Sequence, residues 1–360
     1  MIRVPTLFLD VKRCKKNIEK IASKAKKQGL EFRPHAKTHQ SLEVSKWFRE
    51  VGVNKLTVSS LKMAEYFAEE WDDITVAFPT NILEIQTINK LAKKIQLNLC
   101  VENFEVLEYL NKHLEHPLGI FLKIDSGYNR TGIAVDNFKL INTLLLKIRK
   151  QKSLEFKGFL AHAGHSYKCR SKEAIEVVHQ KSKKQLLLLK KRFKNQYPHL
   201  IISLGDTPCC SVSEDFSGID EIRPGNFVFY DLTQNIIGSN DLNEIAVAMA
   251  CPIVAKHADR NEIVIYGGGI HFSKDRIDDP EDGIIFGRVV EKKGASWGAC
   301  VPKMFLKSLS QEHGVVSVPK ATINDYNIGD LLWILPVHSC MAADLMKEFH
   351  TVDGEVFSMM

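Results

Sequence analysis

Along this chain, short apolar or β-branched runs alternate with longer stretches in which apolar residues recur every three or four positions. Val4–Leu9 reads as a strand. The stretch behind it places Val11, Cys14, Ile18, Ile21, Ala22 and Ala25 on one helical face, with Asp10 as N-cap and Gly29 as stop. The alternation then repeats. Strand-like runs fall at Leu30–Arg33, Lys55–Ser59, Ile74–Phe78, Ile95–Val101, Gly119–Asp125, Phe156–His162, Leu200–Leu204 and Gly218–Arg223. Helical periods lie between them, at Ser41–Val51, Met63–Glu70, Ile82–Lys94, Phe104–His113, Asn137–Lys150 and Lys172–Phe193. Eight strands separated by helices predict an α/β fold, a (β/α)8 TIM-type barrel, in preference to an open sheet.

From about Leu242 the texture changes. "EIAVAMACPIVAKHADRNEIVIYGGG", "GVVSVP" and "GDLLWILPVHSC" hold strand-like runs with turns and no long helix between them. The expected organisation is a barrel over residues 10–240, followed by a mostly β C-terminal domain over 241–360 that takes the strand within residues 1–9 with it.

Composition narrows the class. The 360 residues leave room for a large barrel and an appendage, and 44% hydrophobic with 26% charged residues is ordinary for a globular protein. The net charge of +6 comes from 49 basic and 43 acidic residues, with much of the excess in helical runs such as Lys12–Lys27 and Lys181–Lys194. Without interleaved aromatics or a basic motif, these are solvated helix faces and not a nucleic-acid surface. No apolar run approaches the ~20 residues of a membrane span, and "MIRVPTLFLDVKRC" lacks a signal-peptide core. The eight cysteines show no regular spacing, so no disulfide framework is expected and the location is read as cytoplasmic.

Active sites of such barrels lie at the C-terminal ends of the strands. Strand one leads into "RPHAKTHQ", with His35, Lys37 and His39; strand five ends at Asp125 and leads into "SGYNRTGI", with Arg130. Strand six gives "HAGHSY", with His162, His165 and Tyr167; strand seven gives "GDTP", with Gly205 and Thr207; strand eight gives "RPGN", with Arg223, Gly225 and Asn226. Singly, these are a solvated lysine, packed histidines and ordinary turns. Together, on one face, they offer an amine, several imidazoles, two guanidiniums and two Gly-containing turns. A lysine amine condenses with an aldehyde, and pyridoxal phosphate is the widespread aldehyde cofactor. Turns after strands seven and eight are the usual phosphate site of this fold. At the barrel mouth, partial desolvation and cationic neighbours are expected to lower the pKa of Lys37. His35 and His39 could serve that end, orient the cofactor or simply pack.

With these motifs in place, the chain resembles the fold-type III pyridoxal-phosphate enzymes, the alanine-racemase-like barrels, and within them the D-serine dehydratase and D-threonine aldolase branch. "RPHAKTH" is similar to the cofactor-lysine motif, which implies that Lys37 carries the cofactor as an imine. "KIDSGYNRTGI" resembles the segment whose arginine, here Arg130, approaches the phenolic oxygen of the cofactor. By the same resemblance His162 stacks on the ring, Tyr167 lines the cofactor site and Arg223 faces the ring nitrogen. "GDTP" and "RPGN" then form the phosphate-binding turns, bringing in Thr207, Gly225 and Asn226.

The reaction turns on "PVHSCMAADL". His338 and Cys340, two apart on a strand, would point the same way, and imidazole plus thiolate is a natural partial zinc site. A buried cysteine beside a chance histidine is the plain alternative. The resemblance implies the metal pair, since His-x-Cys is similar to D-serine dehydratases, whereas D-threonine aldolases tend to carry His-x-Asp. "QEHG" resembles a further segment of the branch and brings in His313. No tyrosine motif matches the second base of alanine racemases; "YGGGIHFSKD" stands there instead.

The expectation is therefore a lyase dependent on pyridoxal phosphate and a divalent metal, zinc or manganese, that converts D-serine to pyruvate and ammonia. Lys37 would carry the cofactor and take the α-proton, and His338 and Cys340 would hold the metal. D-threonine aldolase is the alternative, with His162 or His165 deprotonating the β-hydroxyl before cleavage to glycine and an aldehyde. An arginine at the ring nitrogen weakens the electron sink and keeps an amino-acid racemase in view. A non-catalytic pyridoxal-phosphate-binding protein is disfavoured by the second domain and by the His338–Cys340 pair. The partner is a small D-amino acid, and the family implies a homodimer.

Overall fold

The computed structural model describes residues 2–294 and 296–360; Ala295, and Met1 of the 1–9 stretch assigned to the second domain, lie outside the described residues. The chain divides into two compact units. One, the barrel unit, comprises Glu19–Lys37 and Ser45–Gly225; the other, the C-terminal unit, comprises Met1–Ile18, Thr38–Val44 and Asn226–Met360. The chain opens with β1 (Thr6–Leu9) and α1 (Val11–Lys27). Asp10 caps α1, its Oδ1 accepting from the Arg13 N–H at 3.0 Å, while Cys14, Ile18, Ile21 and Ala25 are buried along one stripe. Gly29, at φ 66°, turns the chain out of the helix.

Eight parallel strands build the barrel unit: β2 (Glu31–Phe32), β3 (Leu56–Val58), β4 (Asp73–Pro79), β5 (Gln96–Val101), β6 (Leu118–Asp125), β8 (Leu154–Ala161), β9 (Ile201–Leu204) and β10 (Glu221–Ile222). A two-residue β7 (Ile133–Ala134) sits beside β6. The hydrogen-bonded order is β2-β10-β9-β8-β6-β5-β4-β3, and a parallel bridge between His35 and Thr57 joins the two ends. The expected eight-stranded ring is thus present. Its helices are α2 (Leu42–Glu50), α3 (Leu61–Phe67), α4 (Ile85–Lys94), α5 (Phe104–His113), α6 (Phe138–Arg149), α7 (Lys172–Phe193) and α8 (Thr207–Val212). Ser60, Asn103, Asn137, Ser171 and Asp206 each cap the helix they precede by accepting a first-turn N–H, which fixes where a strand-to-helix loop ends.

The eighth strand is shorter than the Gly218–Arg223 run read from the sequence. Gly218 stands at φ 83°, and the Asp220 carboxylate takes the Ile202 N–H at 2.8 Å, so regular pairing starts only at Glu221. Gly158 lies where the β6–β8 register shifts; a Cβ there would meet the Ile201 carbonyl oxygen at 1.9 Å.

The barrel interior is partly polar. Glu221, 1% exposed, pairs with Arg33 at 2.7 Å, and Arg33 also pairs with Asp73 at 2.7 Å. Asn98 donates to the same Asp73 oxygen at 2.9 Å. Ser203 donates to Glu221 at 2.5 Å and accepts from Arg223 Nε at 2.7 Å.

The C-terminal unit is mostly β. Its elements are α9 (Leu232–Ile237), β11 (Val247–His257), β12 (Glu262–Tyr266), α10 (Gly269–Phe272), β13 (Ile277–Asp279), β14 (Gly283–Ile285), β15 (Gly287–Lys293), β16 (Ser296–Leu309), β17 (His313–Ser317), β18 (Leu331–Pro336), α11 (Ser339–Met346), β19 (Glu348–Thr351) and β20 (Val356–Ser358). The main sheet runs β12-β17-β16-β15-β18-β11-β1-β19-β20, and β11 also pairs with β12, closing six of these strands on themselves. The long β11 pairs with β18 over Met249–Pro252 and, across a bulge between Ile253 and Ala255, with β12. β1 pairs antiparallel with β11, from Thr6 opposite Ala250 to Leu9 opposite Val247. Trp297 and Trp333 stack at 6.1 Å in this unit's core, with the Arg13 guanidinium 5.0 Å from the Trp297 ring. Among the described residues no helix is long and apolar enough to cross a membrane.

The buried ion pairs generate a stability prediction. Arg33→Met leaves Glu221 and Asp73 without their cation and should lower unfolding free energy by about 3–5 kcal/mol, read as a shift in urea midpoint.

Candidate active site

Past β2 the chain stays pinned to its neighbour, because the Ala36 N–H donates to the Thr57 carbonyl at 2.8 Å and the Thr57 N–H to that of Pro34 at 2.9 Å. This delivers His35 and Lys37 to the strand's C-terminal end. The Lys37 N–H donates to His35 Nδ1 at 3.3 Å. The Lys37 side chain is exposed, which corrects the expectation of a desolvated amine.

Cations surround it. Burial, then Lys37, Arg223, His162 and Lys123, hold His35 well below the usual imidazole range. His162 is likewise pushed well down by burial and by Lys37, only partly offset by its hydrogen bond to Gly205. That bond, 2.5 Å from Nδ1 to the carbonyl, requires the proton on Nδ1 and leaves the lone pair on Nε2. Arg223 is 4% exposed; Nε is bonded to Ser203, and one terminal nitrogen donates to the Ala161 carbonyl at 2.6 Å. Nη1 makes no hydrogen bond with the described residues. A Cβ on Gly205 would lie 2.9 Å from this side chain, so glycine is required for arginine and turn to share the space.

Two residues here went unnoticed in the sequence. Lys123, on β6, is 4% exposed and has no hydrogen bond or ion pair among the described residues. Burial lowers its pKa to about 8, with Arg223 and Arg130 adding to the effect and Cys100 and Glu102 opposing it. Its signal was a charge inside the apolar run "GIFLKI". Tyr128 packs beneath Arg130, whose guanidinium carbon is 5.0 Å from the ring, and lies edge-on to His162 at 6.0 Å. Asp125 organises this loop by accepting the N–H groups of Gly127, Tyr128 and Asn129. Nothing in sequence spacing marks a tyrosine for such packing.

The remaining candidates divide. Tyr167 lies 6.1 Å from His162, and its hydroxyl accepts from the Thr207 N–H at 3.3 Å. His165 faces another set of groups: burial lowers its pKa, with Asp206, Lys181, Asp125 and Lys168 around it. Gly225 is buried at the end of the eighth strand. The Asn226 side chain donates to Asp231 at 2.7 Å, to Ser339 at 3.0 Å and to Cys340 Sγ at 3.4 Å, so its NH2 group is committed within the C-terminal unit.

His338 and Cys340 do not share a strand. β18 ends at Pro336; His338 is the N-cap of α11 and Cys340 lies in its first turn. The helical turn still brings the groups together. Burial lowers the His338 pKa, but hydrogen bonds to Asp275 and Cys340 outweigh it and raise the value to about 11. Buried Asp231 holds this turn by accepting from the Ser339 N–H at 3.0 Å and hydroxyl at 3.2 Å. The Thr38 hydroxyl lies 3.2 Å from Cys340 Sγ. His313 is exposed at the start of β17, opposite Tyr266. His39 is fully buried, with Nδ1 against Ser41.

The donor chemistry fits the two groups the sequence suggests. An unbonded buried amine and a free guanidinium N–H among cations suit an anionic, polar ligand in the barrel unit. Imidazole beside thiol suits a borderline-soft divalent metal. No group of three or more His, Cys, Asp and Glu able to hold a metal occurs among the described residues, so His338 and Cys340 would leave other positions to solvent or substrate.

Comparison with known proteins identifies the family of this chain and its structural relatives. Residues 9–232 match the family model of the alanine racemase N-terminal domain, and residues 246–352 the model described as "Putative serine dehydratase domain". D-serine dehydratase of Dictyostelium discoideum is 28% identical, covering 94% of this chain and 90% of that protein. D-threo-3-hydroxyaspartate dehydratase of Delftia sp. HT23 is 25% identical, covering 98% and 95%. Its solved structure superposes with a TM-score of 0.92 at 24% identity, over 100% of this chain and 98% of that one. Solved mutants of a D-threo-3-hydroxyaspartate dehydratase replace a histidine and a cysteine two positions apart with alanine, the cysteine mutant in the metal-free form. D-threonine aldolase from Filomicrobium marinum superposes with a TM-score of 0.83 at 17% identity, over 99% and 95% of the two chains.

His39 yields a pH prediction. Burial, against a hydrogen bond with Ser41, pushes it down to about 3, so it stays neutral in the fold while the unfolded chain protonates it near ~6.5. Its contribution is complete above that value and is lost as pH falls from ~6.5 towards ~3, by up to ~1.4 kcal/mol per pH unit. Urea titrations between roughly pH 7 and 4 should give His39→Gln a slope shallower by about one proton.

Proposed function

The chain belongs to the alanine racemase N-terminal domain family, and on that footing we propose that it is a lyase of D-β-hydroxy amino acids, a D-serine dehydratase dependent on pyridoxal phosphate and a divalent metal. The observation that carries the reading is the His338 imidazole and Cys340 thiol brought together on one helical turn. A racemase has no use for a Lewis acid at the β-carbon, whereas a dehydratase must lose a β-hydroxyl.

When bound, pyridoxal phosphate supplies an aldehyde for capture of amines and a conjugated ring that takes up the electron pair released at Cα. Lys37 would hold the cofactor through its Nζ, and the same amine is the group that would receive the α-proton. His162 presents a neutral ring, fixed by Gly205, for stacking on the cofactor. Arg130 is the cation for the phenolic oxygen. Arg223 is the donor for the ring nitrogen, with Nη1 its available atom. Tyr167, Thr207, Gly225 and Asn226 are the phosphate-side residues, Asn226 through its main chain because its NH2 group is already bonded. In the aldolase alternative, His162 or His165 would help deprotonate the β-hydroxyl. His338 and Cys340 would hold the metal, whose chemistry when bound would be Lewis-acid polarisation of the β-hydroxyl. The thiol favours zinc over manganese.

A homodimer belongs to the same reading. Phe78, near the end of β4, and Leu83, just beyond it, are 57% and 88% exposed and support a surface that a second copy covers.

Incubation with D-serine should yield pyruvate and ammonia. Lys37→Ala should lower the rate at least ~10²-fold, and Cys340→Ala or chelation should lower it while the fold, followed by circular dichroism, is unchanged. Glycine and acetaldehyde from D-threonine without pyruvate from D-serine would make the chain an aldolase, and L-serine alone a racemase.

A further inference from the structure

One carboxylate of the C-terminal unit has a support that its surroundings do not otherwise explain. Asp275 Oδ2 lies 2.7 Å from His338 Nδ1. Asp275 stands in the turn after α10, and that turn starts at Ser273 with φ 70° and ψ −175°. This backbone region is essentially reserved for glycine, and a serine persists there only when its surroundings over-determine it. The surroundings do so. The Ser273 hydroxyl accepts the Asp275 N–H at 3.1 Å, and the Ser273 N–H donates to the Gly269 carbonyl at 2.9 Å. Lys274 Nζ donates to the Leu309 carbonyl at 2.8 Å. Gly268, at the head of α10, packs so tightly on the turn before β17 that a Cβ would lie 2.2 Å from the Gln311 carbonyl oxygen.

Fold stability does not account for this arrangement. The His338 and Asp275 side chains are 40% and 47% exposed, and an ion pair so open to water adds little stability, whereas the Ser273 backbone costs some. Strain of this kind clusters where side-chain direction matters. A carboxylate on one imidazole nitrogen keeps the proton there, fixes the ring and makes the other nitrogen the better metal ligand.

We infer that Asp275 is a positioning residue for His338, holding Nδ1 protonated so that Nε2 is presented to a divalent cation shared with Cys340. The inference rests on the reading of His338 and Cys340 as metal donors given above. Zinc affinity of the full-length protein, measured by competition with a chromogenic chelator at fixed pH, tests it without any assay of turnover. Asp275→Ala and Asp275→Asn should each weaken zinc binding about 10–100-fold, the amide at the lower end because its oxygen still accepts from Nδ1. Asp278→Ala, which removes the same charge from an 80% exposed carboxylate nearby, should leave affinity unchanged. Cobalt bound to the wild type should show a thiolate charge-transfer band, with altered ligand-field bands in the Asp275 variants. Unchanged zinc affinity in either folded Asp275 variant, with His338→Ala and Cys340→Ala both losing the metal, overturns the inference alone. Retention of zinc by His338→Ala and Cys340→Ala overturns the metal reading and the inference with it.

Discussion

A single buried carboxylate, Glu221, ties together the short strands at the β2 end of the parallel sheet, the end that meets β3 where the ring closes. The strands at that end, β2 and β10, have only two residues each, so their own ladder is short. Glu221 compensates by pairing with Arg33 from β2 and accepting from Ser203 of β9, whose hydroxyl in turn receives Arg223. Three strands are tied through side chains that cannot find water. A charge buried to 1% exposure has to be paired this way, because its desolvation would otherwise cost several kcal/mol. The loops leaving these strands carry His35 and Lys37, Gly205 and Thr207, and Gly225.

The same side-chain type is held in opposite protonation states by the two units. In the barrel unit, burial among cations keeps His35 and His162 neutral, and the Gly205 carbonyl dictates which nitrogen of His162 carries the proton. In the C-terminal unit, a carboxylate and a thiol make protonation of His338 favourable despite burial. The first arrangement suits flat neutral rings and an anionic guest; the second suits exchange of protons for a metal cation. A lyase that must both stabilise a carbanion and expel hydroxide needs each kind of environment.

Much of this was legible before folding. The alternation of apolar runs and helical periods located all eight ring strands, and placing Lys37, Arg130, His162, Thr207 and Arg223 after strand ends brought them to one face. The misses share a physical cause. Lys123 is a barrel residue through the inward face of its strand, Tyr128 through contact with Arg130 and His162, and Asp275 through a turn that returns to a residue 63 positions later. Each is defined by a partner distant in sequence. Strand alternation does not bring His338 to Cys340; a helical turn that starts at His338 and is held by Asp231 makes the contact.

By itself, then, the sequence determined the element order, the ring of parallel strands and the identity of the groups able to do chemistry, because periodicity and cap residues are local properties. Tertiary structure decided what those groups are. It left the Lys37 side chain exposed, committed the Asn226 NH2 group to Asp231, made His162 a neutral ring with a known tautomer, and set a carboxylate on His338. Protonation, orientation and availability depend on burial and on neighbours across the fold, and no local pattern encodes them.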